Sequence, residues 1–207
     1  MALGACTSVA GSPAPSATGS SASASSAPGL ASSDPSGCPT SQPAPLPAGE
    51  HRTVTITTDL GGMTLDIAAD LSPIAAGNFV ALATCGYYDD VVFHRVVPGF
   101  VIQGGDPEGT GTGGPGYTIQ DEPVTSVYQR GTVAMARTAR PNSVGSQFFI
   151  VLDDEARTAL ADPSANNYQI IGSVTSGMET ADAIAAAAAG QELPSRPVVM
   201  TDVSVNP

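Results

Sequence analysis

Regular alternation of polar and apolar positions starts at residue 53. TVTITT (53–58) alternates threonine with β-branched apolar residues, the period-2 pattern of a strand with one buried face. Asp59-Leu60-Gly61-Gly62 breaks the run as a turn, and MTLDI (63–67) returns as a second strand. SPIAAGNFVALATCG (72–86) has serine at an N-cap position, proline at the first helical position and glycine at the stop, which predicts a helix. VVFHRVV (91–97), FVIQ (100–103), GTVAMAR (131–137), SQFFIVL (146–152), YQIIGSV (168–174) and PVVMTDVSV (197–205) read as strands, and GMETADAIAAAAAG (177–190) as a second helix. Eight strands and two helices in about 155 residues predict a mainly β fold, a closed eight-stranded antiparallel barrel capped by two α-helices.

Before residue 50 no such pattern exists. Residues 7–49 are serine, alanine, glycine and proline with few large apolar groups. Such a stretch buries too little surface to offset its ordering entropy, so residues 1–49 are expected to be a disordered tether and residues 50–207 the folded domain.

Strand parity gathers an unusual set of side chains. Arg95 shares a face with Phe93 and Val97, Val101 with Gln103, and Gln147 with Phe149 and Val151. Three neighbouring strands could therefore pool an arginine, two glutamines and a phenylalanine on one apolar wall. A buried arginine paired to a carboxylate, with ordinary core packing around it, accounts for the same parity.

Composition removes several chemistries. The formal net charge of -12 argues against a nucleic-acid partner. All seven basic residues are arginines, which excludes Schiff-base chemistry and a P-loop lysine. Two histidines and three cysteines, without a Cys-x-x-Cys, are a thin set for a metal site. GTGTGG (109–114) matches a dinucleotide fingerprint in letters only, because Pro115-Gly116 follow where a helix should open. It reads as a loop whose backbone approaches a neighbour closely. His94 faces away from Arg95 and reads as a hydrogen-bonded packing residue, while Asp121-Glu122 and similar acidic pairs read as solvated turns.

FHRVVPGFVIQGGDPEGTGTGGPGY, GTVAMARTARPNSVGSQFFI and YQIIGSV together resemble the cyclophilin-type peptidyl-prolyl cis-trans isomerases, in their exported bacterial form, over residues 52–206. The resemblance implies an eight-stranded barrel with two helices, no cofactor, and proline-containing segments of proteins as partners. It places Arg95 on the family's catalytic arginine, and Phe100, Val101 and Gln103 on groove residues. Ala136 and Arg137 fall where the family usually has Ala-Asn, whose backbone holds the peptide, and Gln147 and Phe149 fall on the groove wall. A non-catalytic proline-peptide binding module or chaperone is the competing expectation, and a monomer is expected in either case. The sequence also departs from the family pattern elsewhere, and MARTARPNSVGSQ is one residue longer than the commonest animal form. Val101 replaces a common methionine, Tyr168 replaces a common histidine at one edge of the substrate pocket, and the family's tryptophan is absent, with Leu160 or Pro163 left to fill its space. Weak cyclosporin binding is the expected consequence.

LGAC (3–6) resembles the lipobox of bacterial lipoproteins, which makes Cys6 a lipidation candidate and implies an exported, cell-envelope protein attached to the membrane only through that lipid. Cys38 and Cys85 then remain. In an oxidising compartment they are expected to pair. The proline-rich PTSQPAPLP after Cys38 is long enough to reach back to the end of the first helix. The alternative is two separate thiols, with Cys85 a small buried residue.

Overall fold

The computed structural model describes residues 37–160 and 167–206. Strands β1 (His51–Thr58) and β2 (Gly61–Ala68) form a hairpin, closed where the Thr58 hydroxyl donates to the Gly61 carbonyl at 2.9 Å. Helix α1 (Pro73–Thr84) follows. Then come β3 (Val91–Val92), β4 (Arg95–Val97), β5 (Val101–Gly104), β6 (Thr132–Met135) and β7 (Phe148–Val151). A short helix α2 (Ala156–Leu160), β8 (Ile170–Ser176), α3 (Met178–Ala187) and β9 (Val199–Asn206) complete the described chain.

The strands make one antiparallel sheet in the order β3-β9-β1-β2-β8-β6-β7-β5-β4. It is a curled half-barrel of nine strands with three helices, and this corrects the expected closed eight-stranded barrel with two. The reason lies in VVFHRVV. Its first two residues pair with β9 and its last three with β5, so the single expected strand is divided between the two edges of the sheet. Phe93 and His94 carry the chain across. A lone bridge between Val92 and Asp106 brings the two edges together where the ladder itself does not close. The unexpected helix α2 is only 5 residues long, too short to show an apolar period in sequence.

Alternation sorts the strands into two faces. Ile102, Val133, Met135, Phe148 and Ile150 point inward and join Ile56, Met63, Leu65, Phe79 and Tyr88 in the main core. Val101, Ala134, Phe149, Val151 and Ile170 point to the other face, where Tyr128, Ala156 and Leu160 cover them in a second cluster. The expected shared wall is thus the outer face of β4–β5–β7–β6.

Helix α1 presents Ala75, Ala76, Phe79, Leu82 and Ala83 to the core. Ser72 stands at its N-cap but makes no cap bond. The Glu122 carboxylate accepts from Ile74 N and Ala75 N instead, both at 2.9 Å, satisfying two orphan donors and meeting the positive end of the helix dipole. Glu122 is therefore not the solvated turn residue its sequence context implied.

Residues 37–49, on the tether side of the expected boundary, lie along α1. Leu46 N donates to Pro73 O near the start of the helix, the Leu46 side chain enters the main core, and Cys38 bonds to Cys85 at the helix end. The strap lies so close that a Cβ on Gly77 would stand 2.4 Å from Ala44 O, which is why α1 carries glycine at its midpoint. The expected Cys38–Cys85 disulfide is present and closes a separation of 47 residues. Cys6 and the rest of residues 1–36 lie outside the described residues.

Candidate active site

The register of four strands builds the site. Arg95 on β4 is the partner of Gln103 on β5, Gln103 is the partner of Phe149 on β7, and Phe149 is the partner of Ala134 on β6. The row runs from a cation through an amide to an aromatic ring across one face. The Pro98-Gly99 turn makes this possible, because it folds the chain back so that positions 95 and 103 meet; Gly99 takes φ 69°, open to glycine without strain.

Hydrogen bonds extend the row sideways. Arg95 Nη1 donates to Gln103 Oε1 at 3.4 Å, and Gln103 Nε2 donates to Gln147 Oε1 at 2.9 Å. Gln147 Nε2 donates to Gly113 O at 2.9 Å, which ties the glycine loop to the site. That loop is itself wrapped around Asp106. Its carboxylate accepts from the backbone of Glu108, Thr110, Gly111 and Gly113 and from the Thr110 hydroxyl. A Cβ on Gly113 would lie 2.0 Å from Asp106 Oδ1, so the glycines serve a buried carboxylate and not a phosphate. Burial alone would raise the Asp106 pKa, but these donors outweigh it and hold the carboxyl below its ordinary value.

A cavity of about 380 Å³ opens over the row, lined by Arg95, Phe100, Val101, Gln103, Ala136, Arg137, Phe149, Ala159, Leu160 and Tyr168. Seven of the eight expected substrate-binding positions meet there with Arg95. Gln147, the eighth, lines a broader adjoining hollow of about 800 Å³ between the glycine loop and residues 136–145. The Phe149 and Tyr168 rings meet edge to face, with centroids 5.2 Å apart. Tyr168 is held by its backbone, since its N donates to Tyr128 Oη and its O accepts from it, at 3.0 and 2.8 Å. Leu160 lines the cavity wall, while Pro163 lies outside the described residues.

The chain matches known proteins. The family profile described as "Cyclophilin type peptidyl-prolyl cis-trans isomerase/CLD" matches residues 53–205. The chain belongs to the cyclophilin-type peptidyl-prolyl cis-trans isomerases. Peptidyl-prolyl cis-trans isomerase B of Bacillus subtilis is 43% identical over 119 residues, covering 56% of this chain and 78% of the relative. Peptidyl-prolyl cis-trans isomerase CYP18-1 of Arabidopsis thaliana is 43% identical over 136 residues, covering 63% and 80%. The crystal structure of a Cryptosporidium parvum cyclophilin in the presence of the dipeptide Ala-Pro superimposes with a TM-score of 0.65 at 33% identity, covering 75% of this chain and 99% of that one.

Against this cyclophilin frame, the unanticipated residues stand out. Arg137 is fixed by an ion pair to Asp121 at 3.1 Å and by donation from Nη2 to Arg140 O at 3.0 Å, so Asp121 also supports the groove. Ala136 N donates to Gln147 O at 2.9 Å. Arg95 Nε donates to Glu192 Oε1 at 2.8 Å, a contact 97 residues apart in sequence. No local pattern announces Glu192. Asp106 had a signal, a lone acid set among glycines, that parity arguments pass over.

His94 lies under the glycine loop with neither ring nitrogen hydrogen-bonded among the described residues. It packs, but without the hydrogen bond expected of it. Burial pushes its pKa below the usual histidine range, the Asp106 charge opposes that shift, and Arg95 adds to it.

Proposed function

We propose that the cyclophilin chemistry of this chain is carried by Arg95 acting on the prolyl nitrogen of X–Pro bonds in protein clients outside the cytoplasm. Amide resonance sets a barrier of roughly 18–20 kcal/mol to this rotation, and spontaneous exchange takes tens to hundreds of seconds. No covalent bond is made or broken. A catalyst has only to favour the twisted amide over both planar forms.

Twisting removes the nitrogen lone pair from conjugation and makes the nitrogen a hydrogen-bond acceptor. A guanidinium aimed at that atom gains most at mid-rotation, which is the condition for raising turnover and not merely binding. Arginine suits the task because it is permanently charged and its donors sit in a rigid plane. Phe100, Val101, Phe149 and Leu160 supply an apolar seat for the proline ring and exclude water from the hydrogen bond. Gln103 orients the guanidinium, and the adjoining hollow takes the peptide flanking the proline.

The single observation behind this reading is the in-register row Arg95–Gln103–Phe149 beneath a partly apolar cavity of about 380 Å³. It favours catalysis over a passive proline-peptide module, which needs the apolar seat but not an oriented cation. A protease-free assay of cis-to-trans relaxation in a short Xaa-Pro peptide tests it, and full activity without the guanidinium would contradict it. The Cys38–Cys85 disulfide supports work in an oxidising compartment. Membrane attachment through a lipid on Cys6 belongs to the same proposal, and mass spectrometry of the membrane-fraction protein tests it.

A further inference from the structure

The geometry points to Glu192 as a positioning residue that aims the Arg95 guanidinium, an inference that rests on the catalytic reading of Arg95. Glu192 lies between α3 and β9, outside the row that parity assembled. Its Oε1 accepts from Arg95 Nε at 2.8 Å. Nε is the donor nearest the side-chain stem. Occupying it restrains rotation of the planar fork while leaving the two terminal nitrogens free of the carboxylate. Gln103 takes one N–H of Nη1, so two contacts hold the plane and three N–H groups stay available to a substrate.

The carboxylate is itself held in place. The Glu192 carbonyl accepts from Val96 N at 2.8 Å, so Glu192 is pinned to the residue beside Arg95 on the same strand. The turn that delivers it is built from a left-handed pair, Ala189 at φ 50° and Gly190 at φ 78°. Gln191 N donates to Ala188 O at 2.8 Å, and Ser195 N to Gln191 Oε1 at 3.1 Å, which order the loop on either side. Among the described residues, Glu192 is the ion-pair partner of Arg95. The pair is partly exposed, with side-chain exposures of 35% and 60%, so it adds little to stability and its consequence is orientation.

The test is made in the full chain with Glu192→Ala and Glu192→Gln. Glutamine keeps an acceptor oxygen for Nε and removes the charge. Alanine should lower kcat about three- to tenfold with KM within about twofold, because only the aim of a transition-state donor is lost. Glutamine should recover most of the wild-type kcat. The Arg95 Nε–H resonance should be sharp in the wild-type and Glu192→Gln proteins and broadened in Glu192→Ala. Unchanged or raised kcat in Glu192→Ala, or glutamine as slow as alanine, would overturn the inference. Arg95→Ala measured alongside separates the two ideas. If it is slow while Glu192→Ala is fast, the inference alone fails; if it is fast, the reading of the site fails.

Discussion

Arg95 and Phe149 sit two strands apart in one register, each the direct partner of Gln103. The middle residue thus touches both ends of the site. It also passes a hydrogen bond on to Gln147 and thence to the glycine loop.

Gln103→Leu is expected to keep the fold, since the side chain is partly exposed on the outer face and leucine matches its shape. It removes the acceptor for Arg95 Nη1 and the donor to Gln147. Isomerase kcat/KM should fall about tenfold, equivalent to ~1.4 kcal/mol of barrier. Steady-state kinetics on a Xaa-Pro peptide checks this, and wild-type kinetics would show that the amide is a bystander.

The disulfide should stabilise the domain without entering its chemistry. Breaking a cross-link of 47 residues' separation by Cys38→Ser should cost about 2–4 kcal/mol in urea denaturation. Part of the loss should come from the strap, because Leu46 leaves the core when residues 37–49 detach. An unchanged urea midpoint would mean that strap packing suffices alone.

Much of this arrangement is legible in the sequence, for a physical reason. Strand parity is local, so spacing pairs Val101 with Gln103 and Gln147 with Phe149, but it fails for Arg95 and Phe93, because β4 begins only at Arg95 and Phe93 enters the main core. What escapes is what depends on non-local routing. VVFHRVV reads as one strand because nothing within seven residues says that Val91 and Arg95 serve opposite edges of the sheet. Glu122 reads as a surface acid because the donor it caps, Ile74 N, lies 48 residues earlier. Glu192 escapes for the same reason. Helix α2 was missed because one and a half turns carry no period, yet it brings Leu160 to the cavity wall.

That placement bears on inhibitor binding. Leu160 contributes apolar area at the wall but no side-chain donor, unlike the indole that the family resemblance leads one to expect. Cyclosporin should therefore bind weakly, in the micromolar range or above. Calorimetric titration measures this directly, and nanomolar affinity would show that the missing indole does not limit binding.

His94 should make stability depend on pH. Its folded-state pKa is lowered, by burial first. Unfolded histidine titrates near about 6.5, so the contribution is fully present above that pH. As pH falls from there through the lowered folded value, the unfolded chain takes up a proton that the folded chain resists, and stability declines. Denaturation midpoints compared at neutral and mildly acid pH should drop more for wild type than for His94→Phe, whereas parallel drops would assign the effect elsewhere. Asp106, also with a lowered pKa, adds its own loss only at more acid pH in both proteins.

The central claim is that an oriented guanidinium drives the rotation, and the rate of cis-to-trans relaxation in Arg95→Ala tests it most directly. The account predicts a folded protein with kcat/KM at least about tenfold below wild type, and no recovery in Arg95→Lys, because an ammonium lacks the planar fork. A folded Arg95→Ala protein that turns over at the wild-type rate would contradict it.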